Sequence, residues 1–159
     1  MVQTSLPGVA VADDERVGDM TLGWREWAEL PSWHEFPIKA KLDTGARTSA
    51  VHAFALELVH RKSLEIARFE IHPEQGTRGK NRVVEAEVLG YRDVRSSNGT
   101  VEMRPTVATD LSIGGHTFPI ELTLTDRDLM GFRLLLGRSA LRGRFIIDSG
   151  SSYIAGSVR

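Results

Sequence analysis

The tripeptide Asp43-Thr44-Gly45 follows a segment with the pattern of a half-buried strand. Three apolar residues alternate there with two lysines: Ile38, Ala40 and Leu42. This two-residue period is typical of a strand with one buried face. Gly45 permits a tight turn directly after the acid, and its N–H can donate to the Asp43 carboxylate. The Thr44 hydroxyl can lock the same turn. We therefore predict that Asp43, Thr44 and Gly45 form a catalytic turn, which holds a partly desolvated carboxylate rigidly.

A single carboxylate is not sufficient for hydrolysis of an amide. One group must take a proton from water, and another must protonate the scissile amide. Two carboxyl groups about 3 Å apart can divide these tasks because they share one proton. A two-fold dimer would bring Asp43 against its own copy, and this is the pair that we predict. Water held between the two groups would then attack without a metal.

A second acidic segment, Asp148-Ser149-Gly150, offers another source for the second carboxylate. It follows an apolar run, as the Asp43 segment does, and an intrachain pair of Asp43 and Asp148 is therefore the alternative to the dimer. Nine residues follow Gly150 in the 159-residue sequence. We expect these to be too few for another set of strands, so we favour the dimer.

Composition narrows the classes of function. The 159 residues suit one domain with its own core, and we expect a flexible tail at 1–18 before a single domain at 19–159. The net charge of -1 argues against a general nucleic-acid binder. Cysteine is absent from the sequence, so disulfides and thiolate metal sites are unavailable. Apolar runs are too short to span a bilayer and no signal peptide is evident, so we expect a cytoplasmic protein without a membrane partner.

Short alternating segments predict an all-β fold around Asp43. We expect strands at 22–30, 38–42, 48–60, 64–71, 82–89, 103–113, 116–125 and 144–148. Gly114-Gly115 predicts a two-residue hairpin turn, and a charged stretch at 91–98 is expected to end in a turn at Asn98-Gly99. One short helix is predicted at 137–141. Strands and turns at regular spacing indicate a closed or sandwiched β domain.

Details of these segments give further expectations. In 48–60, alternate residues from His52 to Leu58 should lie on one face of a strand. Trp24 and Trp27 are expected to pack in the core. The polar loops at 73–81 and 93–99 are candidates for a flap over the site.

Taken together, these motifs resemble a retropepsin-like family of bacterial and archaeal proteins labelled ATP-dependent zinc proteases, which are associated with ATP-grasp ligases that add glutamate. The matching stretches lie between about residue 21 and the C-terminus: Gly23–Trp27, Lys39–Ala50, Arg95–Gly99, Glu102–Pro105, Ile120–Leu124 and Met130–Leu141. In retroviral-type aspartic peptidases, an apolar run that ends in Gly-Arg and a short helix crosses behind the catalytic strand. The segment Leu134–Leu141 resembles this run, and with the Asp43 motif it is the most specific part of the match.

The resemblance implies a retropepsin-like closed barrel of the acid-protease type, with one short helix near the C-terminus. It also implies aspartic peptidase activity and, for some members, cleavage of glutamate-rich tails made by the ligase. We therefore expect a hydrolase that cleaves acidic peptides with an Asp43 dyad formed across a homodimer. An ATP-grasp ligase is an expected partner, and nucleic acid is not.

An acidic peptide requires cations beside the catalytic turn. Arg47 directly follows the motif, while Arg95 and Arg104 lie in segments that resemble the family. His52 lies just past the turn. The predicted substrate-binding residues are Ala46, Arg47, Thr48, His52, Arg95 and Arg104. Each of these arginines could instead be a solvated or salt-bridged residue, and Arg138 is expected to pack behind the site.

Two other functions remain open on the same fold. A non-catalytic module could hold a peptide or a ligase in its groove, although it would not need an intact Asp43-Thr44-Gly45. A zinc-dependent hydrolase would need a metal site, and the histidines form no His-Glu-x-x-His pattern: His34, His52, His60, His72 and His116. No Walker-type loop supports ATP binding. We therefore expect neither a metal nor another cofactor.

Overall fold

The computed structural model describes residues 20–74, 78–96 and 98–156. The predicted tail at 1–18 lies outside these residues, and the single domain at 19–159 stays a prediction. The described part contains eleven strands and one short helix: β1 (Thr21–Ala28), β2 (Ile38–Leu42), β3 (Ala50–His52), β4 (Phe54–Arg61), β5 (Leu64–Ile71), β6 (Arg82–Glu87), β7 (Gly90–Arg95), β8 (Val101–Ile113), β9 (His116–Thr125), β10 (Leu134–Leu136), α1 (Arg138–Leu141) and β11 (Ile146–Ser152). Within it, no helix is long and apolar enough to cross a membrane.

The strands form two sheets. Eight strands pair in the order β11-β1-β2-β10-β3-β9-β8-β7, and the other three pair as β4-β5-β6. The prediction of a mostly β fold with one short helix near the C-terminus is therefore confirmed. In the described residues the end strands β11 and β7 do not pair with each other. The predicted closure into a barrel is thus not confirmed by the strand pairing.

Strand β2 lies inside the larger sheet. It pairs antiparallel with β1 on one side and parallel with β10 on the other. Ile38, Ala40 and Leu42 are buried as the alternation predicted, whereas Lys39 is exposed. Removing this apolar surface from water stabilises the strand at about 25 cal/mol per Å². The strand that leads into Asp43 is consequently held from both sides.

The hairpin of β8 and β9 has the predicted two-residue turn. Ile113 pairs with His116 across Gly114 and Gly115, whose φ angles are 61° and 83°. Such positive φ values favour glycine because it has no Cβ. Alternate residues of β9 face the core as predicted: Phe118, Ile120, Leu122 and Leu124.

The segment predicted as one strand at 48–60 is two strands in different sheets. The N–H of Ala53 donates to the carbonyl of Thr125 at 2.8 Å, and Ala55 has a positive φ of 54°. The chain therefore stays with β9 of the larger sheet as far as Ala53 and pairs with the smaller sheet from Phe54 onward. The single face predicted for alternate residues from His52 to Leu58 is wrong for this reason.

The charged stretch at 91–98 contains a strand that the sequence pattern did not indicate. Strand β7 pairs along its length with β8 and forms one end of the larger sheet. Its charged side chains suit an edge strand, and backbone pairing with a long neighbour outweighs their weak strand propensity.

The tryptophans of β1 do not pack in the core as predicted, since both are half-buried. Trp24 meets Phe132 edge-on at 6.0 Å between ring centroids. Trp27 lies 5.9 Å from the Tyr153 ring. The strand prediction itself is confirmed, but the aromatic side chains cover the margin of the fold.

Between the two tryptophans, the side chain of Glu26 is fully buried. Its carboxylate accepts hydrogen bonds from the backbone N–H groups of Gly23 at 2.6 Å and of Ile154 and Ala155, both at 3.1 Å. These bonds satisfy a charge that would otherwise be costly to bury. They fasten the segment after β11 onto β1.

Candidate active site

The turn after β2 holds Asp43 by backbone contacts. The Asp43 N–H donates to the carbonyl of Leu136 at 2.8 Å, and its own carbonyl accepts from the Ala46 N–H at 3.1 Å. The Gly45 N–H donates to Oδ1 of the Asp43 carboxylate at 2.9 Å, as predicted. Asp43 is half-buried. The lock predicted for the Thr44 hydroxyl stays a prediction.

The segment of β10 and α1 braces this turn from behind. Arg138 donates from Nη1 to the carbonyl of Thr44 at 3.0 Å. The backbone N–H of Arg138 donates to Ala46 O at 2.9 Å, and that of Ser139 to Arg47 O at 3.1 Å. The predicted packing of Arg138 behind the turn is confirmed.

Gly137 makes the close crossing of the two segments possible. A methyl group at this position would overlap the carbonyl oxygen of Thr48 and would lie 2.9 Å from that of Ala46. The Gly137 N–H donates to Oγ of Ser49 at 3.0 Å, in a buried position. The backbone therefore approaches more closely here than any residue with a Cβ would allow.

A groove of about 790 Å³ lies along the turn. Its lining comes from five parts of the chain: the turn and the start of β3, strand β7 with the residue after it, Arg104 on β8, residues 127–130, and Leu135 on β10. Five arginines and three aspartates are among its lining residues. A cleft with such an excess of positive charge attracts anionic ligands.

Arg104 is the buried cation of this groove. Its side chain is 8% exposed, and its Nε donates to Oε1 of Glu102 at 2.7 Å. The Glu102 carboxylate also accepts from the hydroxyl of Thr125 at 3.1 Å and lies 3.9 Å from Nε of Arg127. These contacts fix the Arg104 guanidinium at the wall of the groove.

The groove brings together most of the residues predicted for the site. The lining includes Asp43, Gly45, Ala46, Arg47, Thr48, Arg95 and Arg104. Thr44 lies in the same turn but outside the lining and is exposed. Of the two predicted flap loops, 93–99 contributes lining residues, whereas the described part of 73–81 borders a different cavity with Trp27 and Lys39.

His52 does not reach the groove. It is buried, with its ring stacked on Phe54 at 3.9 Å between centroids, and its Nε2 lies 3.0 Å from the carbonyl oxygen of Asp126. Burial, together with the charge of Arg133, lowers the pKa of His52 below its ordinary value. Its surroundings are those of a packed side chain that supports the start of the 126–130 loop.

Sequence reasoning missed Arg92 and Arg127, which also line the groove. Arg92 lies in the strand that was not predicted, directly opposite Arg104 in the pairing of β7 with β8. Arg127 lies in a loop without a motif. The strand register of β7 was the missing information for Arg92.

Asp148 lies within β11 and apart from the Asp43 turn, since β1 separates β11 from β2 in the sheet. Its carboxylate accepts from the Gly150 N–H at 2.9 Å and from the Ser151 hydroxyl at 2.7 Å. These two hydrogen bonds lower the pKa of Asp148 below its ordinary value. The structure does not bring Asp148 and Asp43 together as a pair.

The described residues also bear on a metal site. Among them, no group of three or more histidine, aspartate or glutamate side chains is positioned to hold one ion.

The sequence profile of a family described as retropepsin-like aspartic endopeptidase RimB matches residues 21–157. The match includes the whole Asp43 turn, the segment that braces it and both strands of the groove wall.

Curated relatives carry a different name. A protein of Shewanella halifaxensis named "Probable alpha-L-glutamate ligase" is 39% identical over 135 residues, which are 85% of this chain. A protein of Parasynechococcus marenigrum with the same name is 41% identical over 138 residues, or 87% of the chain. The chain spans 30% of the length of each of these relatives.

A solved structure shares the architecture. The crystal structure of a Legionella pneumophila protein of unknown function superposes with a TM-score of 0.71 and is 26% identical in sequence. The similarity covers 87% of this chain and 100% of that one.

Proposed function

The chain belongs to the RimB-like family of retropepsin-like aspartic endopeptidases, and from this premise we propose that it is an aspartic peptidase-like hydrolase. It cleaves peptide bonds in acidic chains, with glutamate-rich tails as the main substrate. The observation that carries the proposal is a half-buried Asp43, held by the Gly45 N–H and braced by Arg138, on a groove rich in arginine.

The second carboxylate comes from a second copy of the chain. Within the described residues, the hydrogen-bond partner of the Asp43 side chain is the Gly45 N–H, and no other carboxylate is paired with it. An isologous dimer places a residue near its axis against its own copy. The two Asp43 side chains then share one proton and titrate as a unit.

The dyad performs hydrolysis by passing protons. One carboxylate takes a proton from the water held between the two side chains, and the resulting nucleophile attacks the carbonyl carbon of the peptide bond. The other carboxyl gives its proton to the amide nitrogen, and the C–N bond breaks. The Gly45 N–H holds Oδ1 of Asp43 throughout, which restricts rotation of the carboxylate.

The positive charge of the groove and the names of the relatives both support a glutamate-rich substrate. Arg47, Arg95 and Arg104 supply positive charge along the groove, which complements a chain of glutamate side chains. Relatives named as glutamate ligases contain a region similar to this chain in a longer polypeptide. We propose that an ATP-grasp ligase makes the tail that this protein removes.

Cleavage of defined peptides tests the proposal. Purified protein is incubated with a poly-glutamate peptide, and the products are measured by mass spectrometry with and without a chelator such as 1,10-phenanthroline. We expect cleavage by the wild type, none by Asp43→Asn, and no effect of the chelator. Full activity of Asp43→Asn, or loss of activity with the chelator, would contradict the aspartic mechanism.

A peptide-binding module is the second candidate function. It is favoured by the volume of the groove, about 790 Å³, and by its arginines, which would hold an acidic segment without any chemistry. Tight binding of a poly-glutamate peptide by the wild type, with no cleavage over long incubation at any pH from 4 to 8, would decide for this function.

A further inference from the structure

We propose that Arg92 and Arg47 form a side pocket that selects an acidic side chain of the substrate next to the catalytic turn. This inference rests on the proposed function, since it assigns one position of the bound peptide to one part of the groove. It names Arg92 as a specificity-determining residue.

The side pocket has a volume of about 210 Å³ and adjoins the main groove. Arg47, Thr48 and Arg92 line both of them. Two arginines, one glutamate and five hydroxyl residues make up the lining, without any large apolar side chain. A carboxylate is compatible with such a wall, whereas an apolar side chain would leave the polar groups unpaired.

The position of the pocket is fixed relative to Asp43. The Ser139 N–H, at the start of α1, donates to the carbonyl of Arg47 at 3.1 Å. Ser139 itself lines the pocket. The same short helix braces the Asp43 turn through Arg138. A side chain in the pocket is therefore held at a constant distance from the reacting carboxylate.

A buried hydroxyl in the wall of the pocket supports a polar occupant. Thr106 is 4% exposed, and within the described chain its Oγ1 has no hydrogen-bond partner. Its cross-strand neighbour Thr123 also lines the pocket, but the Thr123 hydroxyl already donates to the carbonyl of Ser49. An unsatisfied buried hydroxyl costs free energy, which a bound polar group can recover.

Arg92 and Arg104 face each other directly across β7 and β8. Like charges in this position destabilise a sheet, and each guanidinium has its own carboxylate. Nε of Arg104 is 2.7 Å from Oε1 of Glu102, in a largely buried pair. Nη2 of Arg92 is 3.3 Å from Oε1 of Glu121, and both side chains are about half exposed.

This difference makes Arg92 the cation that can exchange partners. An exposed, single contact such as Arg92–Glu121 contributes little to stability, so an incoming carboxylate can replace it at small cost. Arg104 remains bound to Glu102 and adds its charge to the groove. In the free protein, Glu121 thus contacts the Arg92 guanidinium, and the substrate carboxylate replaces Glu121 there.

The test replaces Arg92 with a neutral residue and measures how strongly the protein prefers a Glu side chain of the peptide to a Gln side chain. A poly-glutamate peptide is compared with variants in which one Glu at a time is changed to Gln, and kcat/KM is measured for the wild type and Arg92→Gln. For the wild type, we expect the change from Glu to Gln at one peptide position to lower kcat/KM about tenfold. For Arg92→Gln, we expect kcat/KM to be nearly the same for the Glu and Gln peptides at that position.

Two further variants sharpen the result. Arg61→Gln removes an exposed arginine that pairs with Glu85 on the smaller sheet, and it should leave the discrimination intact. Glu121→Gln should strengthen binding of the acidic peptide severalfold, because Arg92 then has no internal competitor. Binding is measured by fluorescence anisotropy in the Asp43→Asn background, which does not depend on cleavage.

The outcomes separate this inference from the proposed function. If the wild type cleaves acidic peptides and Arg92→Gln keeps the same discrimination at every position, the side pocket is wrong and the peptidase stands. If no peptide is cleaved but acidic peptides bind with an Arg92-dependent preference, the pocket stands and the peptidase fails. If acidic peptides neither bind nor are cleaved, both are overturned.

Discussion

The molecule contains two Asp-Xaa-Gly segments with the same local geometry and different surroundings. At each, the glycine N–H donates to Oδ1 of the aspartate at 2.9 Å, in Gly45 to Asp43 and in Gly150 to Asp148. Asp43 follows an interior strand, whereas Asp148 lies within an end strand of the sheet. The tripeptide therefore specifies its own hydrogen bond and nothing about the chemistry around it.

The surroundings differ in support and in charge. The Asp43 turn has Gly137 and Arg138 behind it, with a groove rich in arginine beside it. Asp148 does not line that groove, and its second oxygen is taken by the Ser151 hydroxyl. A carboxylate that already accepts two hydrogen bonds is stabilised as an anion and is a poor partner for a shared proton.

The largest expected difference is between the two aspartates themselves. Asp43→Asn removes the group that handles the proton, so kcat should fall by about a thousandfold or more. Asp148→Asn should retain most of the activity because its side chain is outside the groove. Peptide cleavage by each variant measures this, and a larger loss in Asp148→Asn would reverse the assignment.

Substitution of Gly137 and of Gly150 by alanine should give the next largest difference, in stability and in activity. A methyl at Gly137 would overlap Thr48 O, while a methyl at Gly150 would meet nothing closer than Oδ1 of its own neighbour Asp148, at 3.4 Å. We expect Gly137→Ala to lose about 1–3 kcal/mol of unfolding free energy and most of its activity. Gly150→Ala should change both only slightly. Urea denaturation gives the free energies, and equal effects would show that the crossing behind Asp43 is not special.

The brace through Arg138 should have a smaller effect. Arg138→Ala removes the hydrogen bond from Nη1 to Thr44 O, so the turn can move relative to the substrate. We expect kcat to fall about tenfold with KM little changed, since a misplaced dyad affects the chemical step. Arg142→Ala, an exposed arginine four residues later, is the matched control. A similar loss in both variants would indicate a general effect of charge.

The smallest effect concerns the pH dependence of stability at Asp148. Its pKa in the folded protein is lowered by the Gly150 N–H and the Ser151 hydroxyl. The stabilisation is therefore fully present above the unfolded pKa of about 3.9 and is lost as pH falls through the folded pKa. Asp148→Asn should have a lower Tm than the wild type at pH 6, and the gap should narrow toward pH 2. A constant gap across this range would contradict the role of these hydrogen bonds.

The sequence could predict the Asp43 turn because its causes are local. The alternation of Ile38, Ala40 and Leu42 and the freedom of Gly45 lie within eight residues of one another. The position of Arg138 behind the turn could also be predicted, because the apolar run before it and Gly137 form a recognisable segment. Both elements appear in the structure as the pattern indicated.

Other parts of the site depend on contacts between distant segments. Arg92 lies in a strand without apolar alternation, and its position opposite Arg104 follows from the register of β7 with β8. His52 is close to Asp43 in sequence but is packed against Phe54 and Asp126 O outside the groove. Trp24 and Trp27 border the core, where Trp24 meets Phe132 and Trp27 lies beside Tyr153. Strand pairing and side-chain packing between distant segments determine these positions. The alternation of apolar and polar residues along one strand predicts neither of them.

The central claim is that two copies of the chain each contribute Asp43 to one site. Wild-type and Asp43→Asn chains are refolded together in varying ratios at constant total concentration, and cleavage of a poly-glutamate peptide is measured. A shared site requires two wild-type chains, so activity should follow the square of the wild-type fraction and fall to about one quarter at equal amounts. Activity in direct proportion to the wild-type fraction, about one half at equal amounts, would contradict the claim.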